Sequence, residues 1–157
     1  MLKLGSRGSP LAMTQSRHVA EQLARLTGEP GYTIQSFITS GDRIADRRLQ
    51  DAGGKGLFTK ELDEALLDGR IDAAIHSLKD LPTQMPDGIV LAAIPSREDP
   101  RDAFISRTAR DLKSLPKGAV VGTASLRRQA QTLHLRPDIK IVTLRGSVET
   151  RLKRLAE

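Results

Sequence analysis

The chain has no cysteine, and its aromatic residues are only Tyr32, Phe37, Phe58 and Phe104. Without cysteine, disulfides and thiolate metal sites are excluded within this sequence. The three histidines, His18, His76 and His134, lie far apart and lack ligand-type spacing, so no metal site is expected. Scarce aromatics argue against a single-strand nucleic-acid binder, which interleaves basic residues with stacking rings. Phe58 lies near Lys55 and Lys60, but one ring is a poor platform. No apolar run approaches the roughly 20 residues that cross a bilayer. No basic-then-apolar leader opens the chain, since Met1 leads straight into Leu2-Lys3-Leu4. A cytoplasmic protein free of membrane is the expectation. Internal repeats of 20–50 residues and low-complexity tracts are also missing.

What is present is an ordinary soluble composition. The 157 residues are 38% hydrophobic and 28% charged, enough for one good core or the start of two small ones. The formal net charge of +6 points to an anionic partner. Nucleic acid, an acidic membrane or a carboxylate-rich small molecule would each satisfy it.

Strands and helices alternate along the chain. Leu2–Leu4 reads as a strand. Ser9 is placed to cap a helix with Pro10 at its first position, and Gly28 ends the apolar repeat that follows. Tyr32–Ile38 is a second strand, rich in β-branched and aromatic residues. Residues 39–56 read as a long loop, and Thr59–Leu67 as a helix stopped by Asp68-Gly69. Ile71–Ile75 and Ile89–Ile94 are expected strands. Pro95–Asp102, two prolines around a charge cluster, reads as a crossing between lobes. Beyond it Ala103–Ile105, Ala119–Val121 and Ile139–Leu144 are expected strands. Leu126–Leu133 and the segment from Val148 are expected helices, the latter with a Glu149–Lys153 pair at i,i+4. The last helix carries no stop signal, so the chain reads as cut short. The pattern is that of an α/β protein with helices packed on sheets.

Three strand–helix junctions carry arginine. At Thr123-Ala-Ser-Leu-Arg-Arg128, free backbone N–H groups, the Thr123 and Ser125 hydroxyls and Arg127 and Arg128 make a carboxylate or phosphate cradle. An ordinary cap with two solvated arginines explains that segment equally well. Leu144-Arg-Gly-Ser147 repeats the logic with Arg145 and Arg151. Gly5-Ser-Arg-Gly-Ser-Pro10 repeats it with Arg7 and Ser9, where a glycine turn and serine cap would also suffice. In open α/β sheets ligands bind at the carboxyl ends of strands. Gly53-Gly-Lys-Gly56 lacks P-loop spacing and is either a basic flap, with Lys55 reaching an anion, or a simple turn. His76-Ser-Leu-Lys-Asp80 is too contiguous for a catalytic triad. Asp80, beside Lys79, reads as a lone carboxylate facing a cation, or else as a cap or surface ion pair.

Taken in order, these segments resemble the porphobilinogen deaminase (hydroxymethylbilane synthase) family. The resemblance rests on Gly5-Ser-Arg-Gly-Ser-Pro-Leu-Ala12, Gly53-Gly-Lys-Gly-Leu-Phe58, His76-Ser-Leu-Lys-Asp-Leu-Pro82, Arg97-Glu-Asp-Pro-Arg-Asp-Ala-Phe104, Gly122-Thr-Ala-Ser-Leu-Arg-Arg-Gln129 and Leu144-Arg-Gly-Ser-Val-Glu-Thr-Arg-Leu152. It implies lobes like those of type II periplasmic binding proteins, the first nearly complete and the second truncated. On that reading residues 1–96 are the first lobe, 97–102 the crossing and 103–157 the N-terminal part of the second. A third domain, which carries the cofactor in the family, is absent.

The resemblance also implies a cytoplasmic, monomeric transferase of tetrapyrrole biosynthesis. It joins four porphobilinogen units, with loss of ammonia, into hydroxymethylbilane. The growing chain is built on a dipyrromethane cofactor held by a cysteine that this sequence lacks. Asp80 matches the catalytic aspartate, which binds pyrrole N–H groups and stabilises the cation left when ammonia departs. Arg7, Ser9, Lys55, Ser77, Lys79, Thr123, Ser125, Arg127, Arg128, Arg145 and Arg151 match cofactor- and substrate-binding positions. Ala124 stands where serine is frequent, and Ser147 where asparagine is. A non-catalytic two-lobed receptor for small anions is the competing reading, and a nucleic-acid binder a third.

Overall fold

The computed structural model describes residues 1–28, 31–43 and 56–157. They fall into two compact units, Met1–Ser96 and Arg97–Glu157. The chain is a mixed α/β protein with a parallel sheet in each unit.

The first unit is built on β1 (Leu2–Arg7), the middle strand of a sheet ordered β2-β1-β3. Strand β2 (Tyr32–Phe37) pairs with it along its whole length, from Leu2 opposite Tyr32 to Arg7 opposite Phe37. Strand β3 is short, Ala73–Ala74, and lies opposite Leu4 and Gly5. Parallel pairing requires long crossovers. They are supplied by α1 (Pro10–Thr27) between β1 and β2, and by α3 (Lys60–Leu67) before β3. A short helical turn, α2 (Ser40–Arg43), follows β2.

The core of this unit is Leu4, Ala20, Leu62, Ala65 and Ile71, all fully or almost fully buried. Leu4 comes from the central strand, Ala20 from α1, and Leu62 and Ala65 from α3, one turn apart on a single helical face. One buried polar pair completes it: Ser16 Oγ donates to Ser6 Oγ at 2.7 Å, tying α1 to β1. A buried hydroxyl without such a partner would cost stability.

The second unit holds a two-stranded parallel sheet, β4 (Val120–Gly122) with β5 (Lys140–Val142), and the helices α4 (Leu126–Leu135) and α5 (Val148–Ala156). Its one buried apolar residue among those described is Ile139. Polar contacts hold the segment before β4. The Arg136 guanidinium donates to the carbonyls of Leu112, Lys113 and Leu115 at 3.0–3.1 Å and forks onto Asp138, two bonds of 2.8 Å. Asp138 in turn accepts from the Gly118 N–H at 3.1 Å.

Several expectations fail here. Ile89–Ile94 and Ala103–Ile105 are not strands. Their apolar side chains, Val90, Leu91, Ile94 and Ile105, are exposed, and no strand among the described residues pairs with them. A strand is a property of a pair, and alternating apolar residues do not supply the ladder. The strand expected at Ile71–Ile75 shrinks to Ala73–Ala74, and that at Ile139–Leu144 to Lys140–Val142. The loop expected over residues 39–56 contains α2 at its start; most of the remainder lies outside the described residues. Glu149 makes no ion pair with Lys153. It bonds instead with the capping Ser147, whose hydrogen bond holds its carboxyl below the ordinary range.

Candidate functional site

All three arginine-bearing junctions lie just past the carboxyl ends of β1, β4 and β5, where each chain turns into a helix. Ser9 caps α1 by accepting the Ala12 N–H at 3.3 Å, Ser125 caps α4 by accepting that of Arg128 at 3.4 Å, and Ser147 caps α5 by accepting that of Thr150 at 3.2 Å. Each serine therefore spends its oxygen on a helix end, while the remaining first-turn N–H groups stay oriented outward.

In the first unit Arg7, the last residue of β1, sits between two carboxylates. Its Nη1 donates to Asp80 Oδ2 at 3.3 Å. Its Nε donates to Asp42 Oδ2 at 3.3 Å, and its Nη2 to Asp42 Oδ1. The Phe58 ring lies beneath the guanidinium, with 4.0 Å between Cζ and the ring centroid, a cation–π arrangement. The side chains of Arg7, Asp42 and Asp80 are only 20, 24 and 18% exposed, so solvent screens these charges less than on an open surface. One positive charge against two negative ones leaves the cluster a single net negative charge.

Asp80 ends a 3₁₀ turn, Leu78–Asp80, just after β3. The lone carboxylate read from the sequence does face a cation, but the cation is Arg7, 73 residues away, and not the neighbouring Lys79. Lys79 is exposed. With Oδ2 taken by Arg7, Asp80 Oδ1 accepts no hydrogen bond among the described residues. Ser77 donates to Gln15 Oε1 at 3.0 Å, fixing the start of the turn to α1. His76 has both ring nitrogens sealed from solvent with no hydrogen-bond partner among the described residues. Burial pushes its imidazole below the usual value, against an upward pull from Asp63 and Asp80, so it stays neutral. An open depression of about 260 Å³, lined by Gly8, Ser9, Phe37, Ile38 and Asp42, adjoins Arg7 at this end of the sheet.

In the second unit Arg127 and Arg128 grip one carboxylate, Asp102. Arg127 forks onto it through Nη1 and Nη2 at 2.8 and 2.9 Å, and Arg128 adds Nε at 3.0 Å. Hydrogen bonds from Arg127, opposed by desolvation and joined by the hydrogen bond and charge of Arg128, hold Asp102 down to about 2. Thr123 accepts the Ser125 N–H at 3.1 Å, shaping the turn between them. At the next junction Arg151 folds back, its Nε donating to the Gly146 carbonyl at 3.0 Å, and Arg145 is half-buried.

The structure thus brings Arg7 and Asp80 together, and Thr123, Ser125, Arg127 and Arg128 together, each within its own unit. Lys55 lies outside the described residues. Asp42, Phe58, Gln15 and Asp102 were not expected from the sequence. For Asp102 the signal was the charge cluster read as a crossing; for Asp42 it was the Thr39-Ser-Gly-Asp42 run, a typical side-chain-capped turn.

These junction residues belong to a contiguous match. The model of the porphobilinogen deaminase, dipyromethane cofactor binding domain, matches residues 2–157. The chain belongs to the porphobilinogen deaminase family. Curated proteins named porphobilinogen deaminase are similar throughout: that of Caulobacter sp. (strain K31) is 60% identical over 98% of this chain, that of Nitrobacter winogradskyi 56% over 98%, and that of Brevibacillus brevis 49% over 99%. The chain spans about half the length of these relatives, 51, 49 and 50% respectively. No helix among the described residues is long and apolar enough to cross a membrane.

Arginines and capped helix ends at these junctions are the donors that a carboxylate-bearing cofactor, such as the dipyrromethane named by this family model, would need. Arg127 and Arg128 already hold one carboxylate in a forked geometry. The chain offers no thiol, so covalent attachment cannot come from its own residues.

Proposed function

We propose that this chain supplies the catalytic aspartate and the anion-binding junctions of a hydroxymethylbilane synthase, which condenses four porphobilinogen units with release of ammonia. The observation that carries this reading is the Arg7–Asp80 ion pair, which among the described residues leaves Asp80 Oδ1 without a hydrogen bond in a cluster of one cation and two carboxylates. A pyrrole N–H donates to that oxygen. When ammonia leaves the aminomethyl group, positive charge spreads into the ring, and a fixed carboxylate in a poorly screened site stabilises it.

Each pyrrole brings an acetate and a propionate. Ser9, Lys55, Ser77, Lys79, Thr123, Ser125, Arg127, Arg128, Arg145 and Arg151 are proposed to receive these groups. Arg7 keeps two N–H groups beyond those given to Asp42 and Asp80 and can contribute to the same task. A ligand carboxylate entering the Arg127–Arg128 fork takes the place of Asp102. When bound, dipyrromethane supplies the pyrrole carbon to which the first substrate is joined. Lobes of the type II periplasmic-binding kind, divided as 1–96, 97–102 and 103–157, a monomeric state, a cytoplasmic location and no binding to nucleic acid or membrane complete the reading.

The test is porphobilinogen consumption by the product of the native gene, wild type against Asp80→Asn. Loss of one electrostatic stabiliser costs about 10²–10³-fold in turnover, and the circular dichroism spectrum should not change. Normal turnover by Asp80→Asn, or an unmodified wild-type product of 17.1 kDa that consumes no porphobilinogen, overturns the assignment in favour of an anion receptor.

A further inference from the structure

Arg7 has more possible positions than the one it occupies. It ends a strand, its side chain carries four rotatable bonds, and Asp80 holds only one of its nitrogens, at 3.3 Å. A single long hydrogen bond does not orient a guanidinium. The second carboxylate does. Asp42 takes Nε and Nη2 together, the side-on fork that fixes both the plane and the direction of the group.

Asp42 is itself held. Its Oδ2 accepts the Thr39 hydroxyl at 2.7 Å and the Thr39 N–H at 3.2 Å, and Thr39 is fully buried. Burial pushes the Asp42 carboxyl up, but the hydrogen bonds from Arg7 and Thr39 together outweigh it and keep it ionised. The turn bearing Asp42 is tied to α3, because Glu61 Oε1 accepts both the Ser40 N–H at 2.8 Å and its hydroxyl at 2.6 Å. The Phe58 ring occupies the space where a Cβ on Gly41 would stand, so the ring under Arg7 and the turn beside it pack as one piece.

We infer that Asp42 is the positioning residue of this site: it turns Arg7 so that Nη1 faces Asp80, and thereby sets where the Asp80 carboxylate stands. The inference rests on the proposed role of Asp80. It differs from that role in giving Asp42 no contact with substrate. A carboxylate displaced by about 1 Å from its working position costs on the order of 10²-fold in rate.

Asp42→Asn keeps an oxygen for Thr39 and removes the charge that holds the fork. In the product of the native gene it should lower kcat by about 10–100-fold, with KM changed less than about threefold. Thr39→Val, which removes only the hydroxyl behind Asp42, should change kcat in the same direction and less. Arg7→Lys should be at least as harmful as Asp42→Asn, because Arg7 also meets Asp80 and is offered to ligand carboxylates, and the pair together no worse than Arg7→Lys alone, because Asp42 acts only through Arg7. A purely structural role would instead give additive losses and a lowered melting temperature.

The Arg7 Nε–H resonance gives a readout independent of turnover. It should persist in the wild type and in Asp80→Asn, and be lost to solvent exchange in Asp42→Asn. Persistence of that resonance in Asp42→Asn, or additive losses with Arg7→Lys, overturns the inference. Normal turnover by Asp80→Asn would sink the catalytic reading alone, and the resonance would still decide whether Asp42 positions Arg7.

Discussion

The two units use the same device, an arginine at a strand–helix junction held by an aspartate, on very different foundations. In the first unit the device stands on a core: Leu4, Leu62, Ala65 and Ile71 are sealed beneath it, and the Arg7 and Asp80 side chains are about four-fifths covered. In the second, whose sheet has two strands among the described residues, the Arg127 side chain is 58% exposed. Val120, Val142, Leu126, Leu135, Leu152 and Leu155 all remain exposed there. The contrast fits the two tasks proposed above. Stabilising a developing charge needs a preorganised, poorly screened carboxylate. Receiving a succession of ligand carboxylates needs cations that can exchange partners at low cost, and a screened surface pair of about 0–1 kcal/mol meets that need.

The contrast can be broken from the core outward. Leu62→Ala should destabilise the first unit by about 2–5 kcal/mol, the cost of a cavity at a fully buried leucine. Leu155→Ala in the second should change stability by less than about 0.5 kcal/mol. Urea unfolding of each variant checks both, and equal losses would erase the distinction. Gly5→Ala comes next. Its new Cβ would overlap Ile71 Cδ1, and overpacking of this kind costs about 1–3 kcal/mol. Ile71→Val, which removes that Cδ1, should restore part of the loss in the same denaturation curves.

Two pH effects sharpen the contrast further. The neutral His76 has a folded-state value below the ordinary 6.5, so the unfolded chain takes up its proton first. Stability is therefore full above about pH 6.5 and falls as the pH drops below it. His76→Leu should remove that limb from a plot of melting temperature against pH. Asp102, held at about 2 against an ordinary 3.8, stabilises the second unit above pH 3.8, and that contribution is lost as the pH falls towards 2. After solvent screening it amounts to less than about 1 kcal/mol. It should vanish in about 1 M salt, where the screening length is near 3 Å. A salt-insensitive limb would mean that the pair is less exposed than its geometry indicates.

The elements that could be read from sequence are those fixed by neighbours in the chain. Ser9, Pro10 and Gly28 mark α1 within a residue, whereas at Ser125 a cap and an anion cradle were equally legible and at Ser147 no cap was singled out, though both serines cap their helices. What could not be read is what depends on a distant partner. Ile89–Ile94 has the composition of a strand and no strand beside it among the described residues. Asp80 was recognisable as a carboxylate seeking a cation, yet nothing near it in sequence names Arg7, because only the parallel pairing of β1 with β3 brings them together. Asp42 was hidden for the same reason. Its partner lies 35 residues away, across a crossover, and a short helical turn looks like loop in a polar stretch.

The central position of β1 also governs how the protein emerges from the ribosome. The first strand made has its partners at residues 32–37 and 73–74, so it stays unpaired on both edges until the second strand is released, and on one edge until the third. Asp80 follows six residues after that third strand. Nascent chains halted before the third strand is released thus present an open strand edge to chaperones while still lacking Asp80.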